Sequence, residues 1–317
     1  MSSNFILALD FGGTKLSAAL VSSEDTTKWI DSRQTKSSPN ATRGLDKMIQ
    51  LAHELLGECK PAAIGVSFGG LVDVETGQVI RSFQVRGWEN YPLVNKLQEV
   101  FSTPVIFDND ANVAGLGEWR FGAGQGFNSL FYITVSTGVG GGWILNGSIY
   151  RGANGLAGEI GHIVIKPGGP LCGCGKRGCV ESLASGLSIA RLAQERLAVE
   201  PQAGSRLRKI CKTNPTAITA KHVSRAAEDG DELSIAVLDE ASRALGQGIG
   251  LAITLMNPQR VILGGGVSKS GTQYWQTLRE TASTFVLPSM TVDIVPALLG
   301  DNAPLWGAVA MAEELLR

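Results

Sequence analysis

The sequence of 317 residues is poor in several features, and each shortage excludes a class of protein. Its 28 Lys and Arg nearly balance its 29 Asp and Glu, so the net charge of -1 gives no electrostatic attraction for nucleic acid or an anionic membrane. No apolar run reaches the roughly 18 residues that a membrane span needs, and no cleavable leader is recognisable at the N-terminus. We therefore expect a cytoplasmic protein without nucleic-acid or membrane partners.

Cysteine is also scarce, with 5 residues, yet three of them stand in the short stretch CGCGKRGC from Cys172 to Cys179. In a reducing compartment a disulfide is disfavoured, so metal binding or redox chemistry becomes the better interpretation. Cys172 and Cys174 have one residue between them, whereas the commoner zinc knuckle has two or more. Spacing alone leaves both the metal and the redox interpretation open.

Glycine, by contrast, is abundant, with 40 residues gathered in short clusters. Three of these clusters directly follow the strand-like apolar runs FILALD, LFYITV and RVILG. A glycine cluster is either an ordinary tight turn or a place where the backbone approaches a ligand. The repeated order of strand and then glycine favours a ligand site.

Strand-like and helix-like segments alternate in both halves of the chain. Each half begins with strand, glycine turn and strand, in NFILALDFGGTKLSAALVSS and in SLFYITVSTGVGGGWILNGSIY. Helical spacing of apolar residues follows in TRGLDKMIQLAHELLGE and in SIAVLDEASRALGQGIGLAITLMNP. The final APLWGAVAMAEELLR predicts an amphipathic helix that packs onto either half. This pattern predicts a duplicated α/β unit with a cleft between the copies.

Both glycine turns carry the groups that a phosphate site needs. The first offers Gly12, Gly13, Thr14 and Lys15 after Asp10, and the second offers Thr137, Gly138 and Gly140 to Gly142. Glycines let main-chain N–H groups point into a turn, and a hydroxyl or an ammonium adds another donor. The spacing is not that of a Walker loop. Two such turns could hold the phosphates of a nucleotide from both sides.

A candidate catalytic carboxylate follows the apolar strand PVIF, in the stretch FDNDANVAGLGE. Asn109 and Asp110 stand where a strand ends and a helix begins, which is a common place for reactive groups in α/β folds. In phosphoryl transfer to a hydroxyl, such a carboxylate accepts the hydroxyl proton. Asp110 is the predicted base and Asp108 a lower-ranked competitor, while a plain helix N-cap is the interpretation without catalysis.

Six motifs extend over nearly the whole chain, from about Ile6 to about Ala312: LDFGGTK, FDNDANVAGLGE, TVSTGVGGG, GLAGEIGHI, CGCGKRGCVESLASG and VILGGGV. Together they resemble the ROK family of sugar kinases and sugar-responsive repressors, in the actin-like ATPase superfamily. The resemblance implies an α/β protein of two actin-like, ribonuclease H-like domains with an interdomain cleft and a structural zinc site. We assign residues 1–119 plus 301–317 to the smaller domain and residues 120–300 to the larger one.

The resemblance also implies roles for individual residues. Asp110 is the implied catalytic base, and the implied sugar ligands are Gly70, Asn109, Asp110, Glu159, His162 and Glu181. ATP is expected to bind with Mg²⁺ beside Asp10. Its phosphates are expected at Gly12, Gly13, Thr14, Lys15, Thr137, Gly138 and Gly140, and its adenosine near Gly264, Gly265 and Gly266.

The cysteine stretch becomes interpretable through the same resemblance. His162, Cys172, Cys174 and Cys179 match the zinc ligands of the family. Four protein ligands leave no position for water, so the expected zinc is structural. If one ring nitrogen of His162 binds zinc, the other is left to donate to a sugar hydroxyl. A redox pair of thiols is the rival interpretation.

Two functions from different classes follow. The first is an ATP-dependent kinase of a hexose 6-hydroxyl, with glucose as first choice and N-acetylmannosamine, N-acetylglucosamine, allose or fructose as alternatives. The second is a sugar-responsive repressor, which in this family carries a winged helix-turn-helix before the kinase-like part. The first strand here starts at about Phe5, so we expect the enzyme. We also expect a homo-oligomer, a dimer or a tetramer, and leave polyphosphate open as a donor.

Overall fold

The structure is a computed structural model that describes residues 4–211, 214–291 and 293–317. The strands are β1 (Phe5–Phe11), β2 (Lys15–Ser22), β3 (Asp31–Lys36), β4 (Ala63–Phe68), β5 (Leu71–Asp73), β6 (Gln78–Arg81), β7 (Val105–Asn109), β8 (Ser129–Val135), β9 (Val139–Leu145), β10 (Ser148–Tyr150), β11 (Arg260–Gly264) and β12 (Asp293–Pro296). The α-helices are α1 (Ala41–Leu56), α2 (Leu93–Phe101), α3 (Asp110–Phe121), α4 (Val180–Ala184), α5 (Gly186–Val199), α6 (Ser205–Ile210), α7 (Ala220–Glu228), α8 (Glu232–Met256), α9 (Thr272–Thr284) and α10 (Ala303–Glu314). Within the described ranges, every helix is too short or too polar to cross a bilayer.

Two five-stranded mixed sheets organise these elements. The first has the order β3-β2-β1-β4-β7, with β3, β2 and β1 antiparallel and β1, β4 and β7 parallel. The second has the order β10-β9-β8-β11-β12, with β10 antiparallel to β9 and β11 parallel to β12. When the strands of each sheet are numbered along the chain, both sheets have the spatial order third, second, first, fourth, fifth. This shared order confirms the predicted duplication of an α/β unit.

The chain divides into two compact units. The first unit runs to Tyr132 and includes Gly142–Ala157 and Ala297–Arg317, and the second contains Ile133–Gly141 and Gly158–Pro296. In the second unit, the long helix α8 packs against α4, α5, α7 and α9. Its N-terminus is capped by Asp231, whose side chain accepts a hydrogen bond from the N–H of Ser234.

The core of the first unit forms around β1 and β4, whose residues are almost all buried. Such continuous apolar runs are typical of strands that are covered on both faces. Helix α1 packs against β2 and β3, and α10 packs against β1, β4 and α3. Gly65 of β4 permits the close approach of α10, because a Cβ there would clash with the carbonyl oxygen of Ala308.

The C-terminal helix differs from its sequence prediction. An amphipathic helix was predicted, but in α10 Leu305 and every residue from Gly307 to Ala312 are buried. The prediction of a polar face was wrong because α10 is covered by the sheet and also by α3. The two helices approach closely at small residues, since a Cβ on Gly307 would clash with the carbonyl oxygen of Val113.

Glu118 of α3 has no solvent exposure and joins two segments of the first unit. Its carboxylate accepts hydrogen bonds from the backbone N–H groups of Ala123 at 2.8 Å, Leu298 at 3.2 Å and Leu299 at 2.8 Å. It thereby ties the segment before α10 to the C-terminal end of α3. Sequence reasoning gave this glutamate no role.

Replacing Glu118 with Gln should lower the free energy of unfolding by about 2–3 kcal/mol. The amide removes the charge that strengthens three buried hydrogen bonds and turns a donor toward a backbone N–H. Urea denaturation measures the change. Glu54→Gln, at an exposed glutamate paired with Arg33, is the matched control and should change stability by less than about 0.5 kcal/mol. Equal losses in the two variants would contradict the role given to Glu118.

Candidate active site and metal centre

The first glycine turn joins β1 to β2 in the first unit. Asp10, near the end of β1, is buried, and the Ser67 hydroxyl donates a hydrogen bond of 2.8 Å to its carboxylate. Burial raises the pKa of Asp10 from 3.8 to about 6, although the Ser67 hydrogen bond and the Lys15 charge both act to lower it. A nearby cation favours the ionised carboxylate. Asp10 therefore suits the edge of a site for magnesium and phosphate.

Gln84 lies directly over this turn, which sequence reasoning did not anticipate. A Cβ on Gly13 would clash with the carboxamide of Gln84. The buried Ser82 hydroxyl accepts hydrogen bonds from the backbone N–H groups of Gln84 at 3.4 Å and Val85 at 3.3 Å. Beside the turn is a small open pocket lined by residues that include Gly12, Gly13, Phe68, Gly69, Ser82 and Trp88.

The junction of β7 and α3 brings together three of the predicted site residues. Asn109 caps α3, accepting from the N–H of Ala111 at 2.9 Å, and its amide donates to the carbonyl of Gly70 at 3.0 Å. Asp110 is the first residue of α3, and its carboxylate lies near Gly69. Asn109, not Asp110, is the helix N-cap, so the interpretation of Asp110 as a plain cap was wrong.

Asp108 is buried and its carboxylate is occupied within the protein. One oxygen accepts from the backbone N–H of Asn109 at 2.7 Å and from the side-chain amide of Asn112 at 2.9 Å. The other oxygen accepts from the guanidinium of Arg151 at 2.6 Å. These contacts support the lower rank of Asp108 as a base, because a base needs an accessible oxygen.

The second glycine turn joins β8 to β9 and contains Thr137 and Gly138. The N–H of Val139, at the end of this turn, donates to the carboxylate of Glu181 at 2.9 Å. Gly140 lies inside β9, so the turn is shorter than the sequence predicted.

The third glycine cluster follows β11 in the second unit. Gly264 ends the strand, and Gly265 has a φ of 85° and packs against the backbone of Val135 at the end of β8. A Cβ on Gly266 would meet no atom within 4 Å, so this part of the cluster borders open space. The second and third glycine clusters therefore lie at neighbouring strand ends.

The predicted metal ligands form one cluster in the second unit. The ligand atoms of His162, Cys172, Cys174 and Cys179 all lie within 4.8 Å of one another. The Cys172 sulfur is 3.5 Å from Nδ1 of His162, and the sulfurs of Cys174 and Cys179 are 3.7 Å apart. A tetrahedral zinc ion requires about 3.5 Å between sulfur and nitrogen and about 3.8 Å between sulfurs. The residues present therefore fit zinc, and all five cysteines are free of disulfides.

Local folding brings these ligands together. His162 ends a short 3₁₀ helix, Ile160–His162, which packs against α4 and α8. Cys179 directly precedes α4, and a tight loop between Cys172 and Lys176 is closed by a backbone hydrogen bond of 2.8 Å. The Lys176 ammonium donates to the carbonyl oxygen of His162 at 3.0 Å. It brings a positive charge to a cluster that would carry three thiolates.

The thiols differ in their readiness to ionise. Burial raises the pKa of Cys172 and of Cys179, whereas the backbone N–H of Lys176 lowers the pKa of Cys174. Zinc binds thiolates, so occupation of the cluster must release protons.

Two carboxylates border the metal cluster. The Nε2 atom of His162 points to Glu159, at 3.8 Å from its carboxylate, while Nδ1 faces the cysteines. Glu181 has one oxygen 3.9 Å from the Cys172 sulfur and the other bound to the N–H of Val139. His162 therefore has one ring nitrogen toward the cysteines and the other toward Glu159, as the resemblance implied. Glu181 connects the cluster to the second glycine turn.

Comparisons with known proteins find relatives that cover nearly the whole chain. A family model described as ROK family matches residues 6–315. The glucokinase of Halalkalibacterium halodurans is 36% identical over 319 residues, covering 97% of this chain and 94% of the relative. The glucokinase of Thermotoga maritima is 33% identical over 315 residues, covering 98% and 97%. The structure of a ROK family glucokinase from Streptomyces griseus in complex with glucose and AMPPNP matches with a TM-score of 0.86 at 32% identity, covering 98% and 99%.

Replacing Cys174 with Ala should remove the metal and raise the KM for the sugar by about tenfold, because His162 and Glu181 lose their support. Metal analysis should find one zinc per wild-type chain and little in the variant. Cys59→Ala, at an exposed cysteine outside the cluster, is the control and should keep both zinc and KM. A metal-free Cys174→Ala variant with a normal KM would disprove the link between metal and sugar.

Proposed function

This chain belongs to the ROK family, and from that membership we propose that it transfers the γ-phosphoryl group of ATP to the 6-hydroxyl of glucose. The observation that carries the proposal is the position of Asp110 at the start of α3, with its carboxylate near Gly69 and beside the capped Asn109. Two glucokinases cover 97% and 98% of the chain, at 36% and 33% identity, and the matched structure holds glucose and an ATP analogue. N-acetylmannosamine kinases from Escherichia coli cover 97% of it at 32% identity, so that sugar is the alternative substrate.

Asp110 acts as the general base in this proposal. Its carboxylate accepts the proton of the 6-hydroxyl while that oxygen forms a bond to the γ-phosphorus and the bond to ADP breaks. One N–H of the Asn109 side chain donates to the carbonyl oxygen of Gly70, and one lone pair of its oxygen accepts from the N–H of Ala111 in α3. Its amide keeps a second N–H and a second lone pair, which suit the hydroxyls of a sugar. Gly70 lies beside Asn109 and, having no side chain, offers only backbone groups to the sugar.

The phosphates are assigned to the glycine turns. In the first unit Gly12, Gly13, Thr14 and Lys15 supply backbone and side-chain donors, and Asp10 supplies the oxygen that a hard cation prefers. Magnesium, when bound with ATP, neutralises phosphate charge. In the second unit we assign phosphate contacts to Thr137, Gly138 and Gly140 and adenosine contacts to Gly264, Gly265 and Gly266.

In the second unit, the groups that we propose to bind the sugar are Glu159, His162 and Glu181. Each sugar hydroxyl both donates and accepts, so carboxylates and an imidazole nitrogen can read its position. We propose that zinc at His162, Cys172, Cys174 and Cys179 holds these groups in place and takes no part in the reaction, since four protein ligands complete its shell.

Three further assignments complete the proposal. The functional domains are residues 1–119 plus 301–317, which carry the base and the first phosphate turn, and residues 120–300, which carry the metal centre and the adenosine segment. A homo-oligomer and a cytoplasmic location stay predictions. The reaction needs neither nucleic acid nor a membrane.

A panel of sugars tests the proposal. With ATP as donor, we expect the highest kcat/KM for glucose, above mannose, fructose, allose, N-acetylglucosamine and N-acetylmannosamine. A parallel series with polyphosphate tests the donor. A higher kcat/KM for N-acetylmannosamine than for glucose would make N-acetylmannosamine the substrate. Absence of turnover with every sugar would contradict the kinase assignment.

Replacing Asp110 with Asn should reduce kcat by about 10³-fold, because the amide cannot accept the hydroxyl proton. Glucose binding, measured by calorimetry, should change by less than about threefold, since the amide keeps the shape of the side chain. Asp46→Asn, an exposed position on α1, is the control and should retain full turnover. Retained turnover in the Asp110 variant would refute its role as base.

A further inference from the structure

An ion pair with a buried carboxylate lies immediately beside the candidate base. The Asp108 carboxylate is 1% exposed, and the Arg151 guanidinium, which follows β10 and is half-buried, donates to it at 2.6 Å. Both residues belong to the first unit. We propose that Arg151 is a positioning residue that acts through Asp108 to fix the junction of β7 and α3 on which Asp110 is presented.

The contacts of Asp108 explain how such positioning works. Its first oxygen accepts from the backbone N–H of Asn109, at the end of β7, and from the side chain of Asn112, one turn into α3. One carboxylate therefore holds both sides of the junction, and Asp110 lies between the two attachment points. Arg151 occupies the second oxygen, which sets the orientation of the carboxylate and hence of both attachments.

Asn112 depends on this carboxylate for its orientation. It is 3% exposed, and its carbonyl oxygen has no hydrogen-bond partner among the residues that the structure describes. The bond from its Nδ2 to Asp108 is its side-chain anchor. Gly142 packs tightly here, because a Cβ on it would lie 2.8 Å from the Cα of Asn112. The first turn of α3 is thus fixed by packing on one side and by Asp108 on the other.

This inference rests on the proposed function, since it concerns the base of that reaction. A general base must lie within hydrogen-bond reach of the proton that it accepts. A misplacement of about 1 Å can cost about 100-fold in rate. Sugar binding, in contrast, is shared among several hydroxyl contacts. Loss of Arg151 should therefore lower kcat far more than it raises KM.

The test compares Arg151→Gln and Arg151→Lys with Arg120→Gln. Arg120 lies near the other end of α3 and pairs with Glu313 at 3.3 Å, so its loss removes an ion pair from the same helix without touching the junction. The readouts are kcat, the KM values for glucose and ATP, urea unfolding, and hydrogen–deuterium exchange of the backbone amides at residues 105–115.

Arg151→Gln should lower kcat by about 30-fold, with both KM values within about threefold of wild type, and should speed exchange at residues 105–115. Arg151→Lys should recover part of the kcat, because the ammonium keeps the charge but not the planar fork. Asp108→Asn should lower kcat similarly, and the double variant with Arg151→Gln should be no worse than the poorer single variant. Arg120→Gln should leave kcat and this exchange unchanged.

Three results would overturn the proposal: a normal kcat in Arg151→Gln, an equal loss of kcat in Arg120→Gln, or unchanged exchange at residues 105–115. If the wild-type chain turned over no sugar, the proposed function would fail by itself. The exchange comparison between the Arg151 and Arg120 variants would then still decide whether Arg151 fixes the junction.

Discussion

A carboxylate that is buried away from water must find its hydrogen-bond donors inside the protein, and much of the first unit is arranged around this requirement. At the end of β7, Asp108 takes donors from its own strand, from α3 and from Arg151. At the other end of α3, Glu118 takes three backbone N–H groups. The helix that begins with Asp110 is therefore fixed at both ends by a buried anion. Each anion is supplied with donors from segments that are distant in the sequence, so the site and the fold share the same contacts.

In the second unit, the corresponding element is the cluster of four candidate metal ligands. His162, Cys172, Cys174 and Cys179 come from a short 3₁₀ helix and from a glycine-rich loop. A tetrahedral ion bound by all four would join these two segments. Glu181 extends this order to the second glycine turn through its hydrogen bond to Val139. One carboxylate thus borders both the candidate metal ligands and the proposed phosphate turn, so a metal bound there would act on both through Glu181.

The sequence predicts those features that depend on local patterns. The two strand–turn–strand units, the helices α1 and α8, and the close approach of the four metal ligands follow from periodicity, glycine clusters and motif resemblance, and the structure confirms them. The polar face predicted for α10 was wrong because local periodicity does not reveal a second covering layer. Arg151 and Glu118 were missed because their partners lie far away in the chain, at separations of 43 and up to 181 residues. A charge with a distant partner leaves no periodic signal.

Burial of the Asp10 carboxylate lowers the stability of the fold. Its pKa of about 6 exceeds the ordinary 3.8 because burial disfavours the ionised form. Between these two values the folded state binds more protons than the unfolded state, so this group lowers stability as the pH rises through that window. At neutral pH the shift of roughly two units corresponds to a loss of about 3 kcal/mol. A neutral residue would avoid this loss, but it would supply no anionic oxygen to the magnesium that we propose at the first glycine turn. Under the proposed function, magnesium bound with ATP at the first glycine turn would favour the ionised carboxylate and offset this loss.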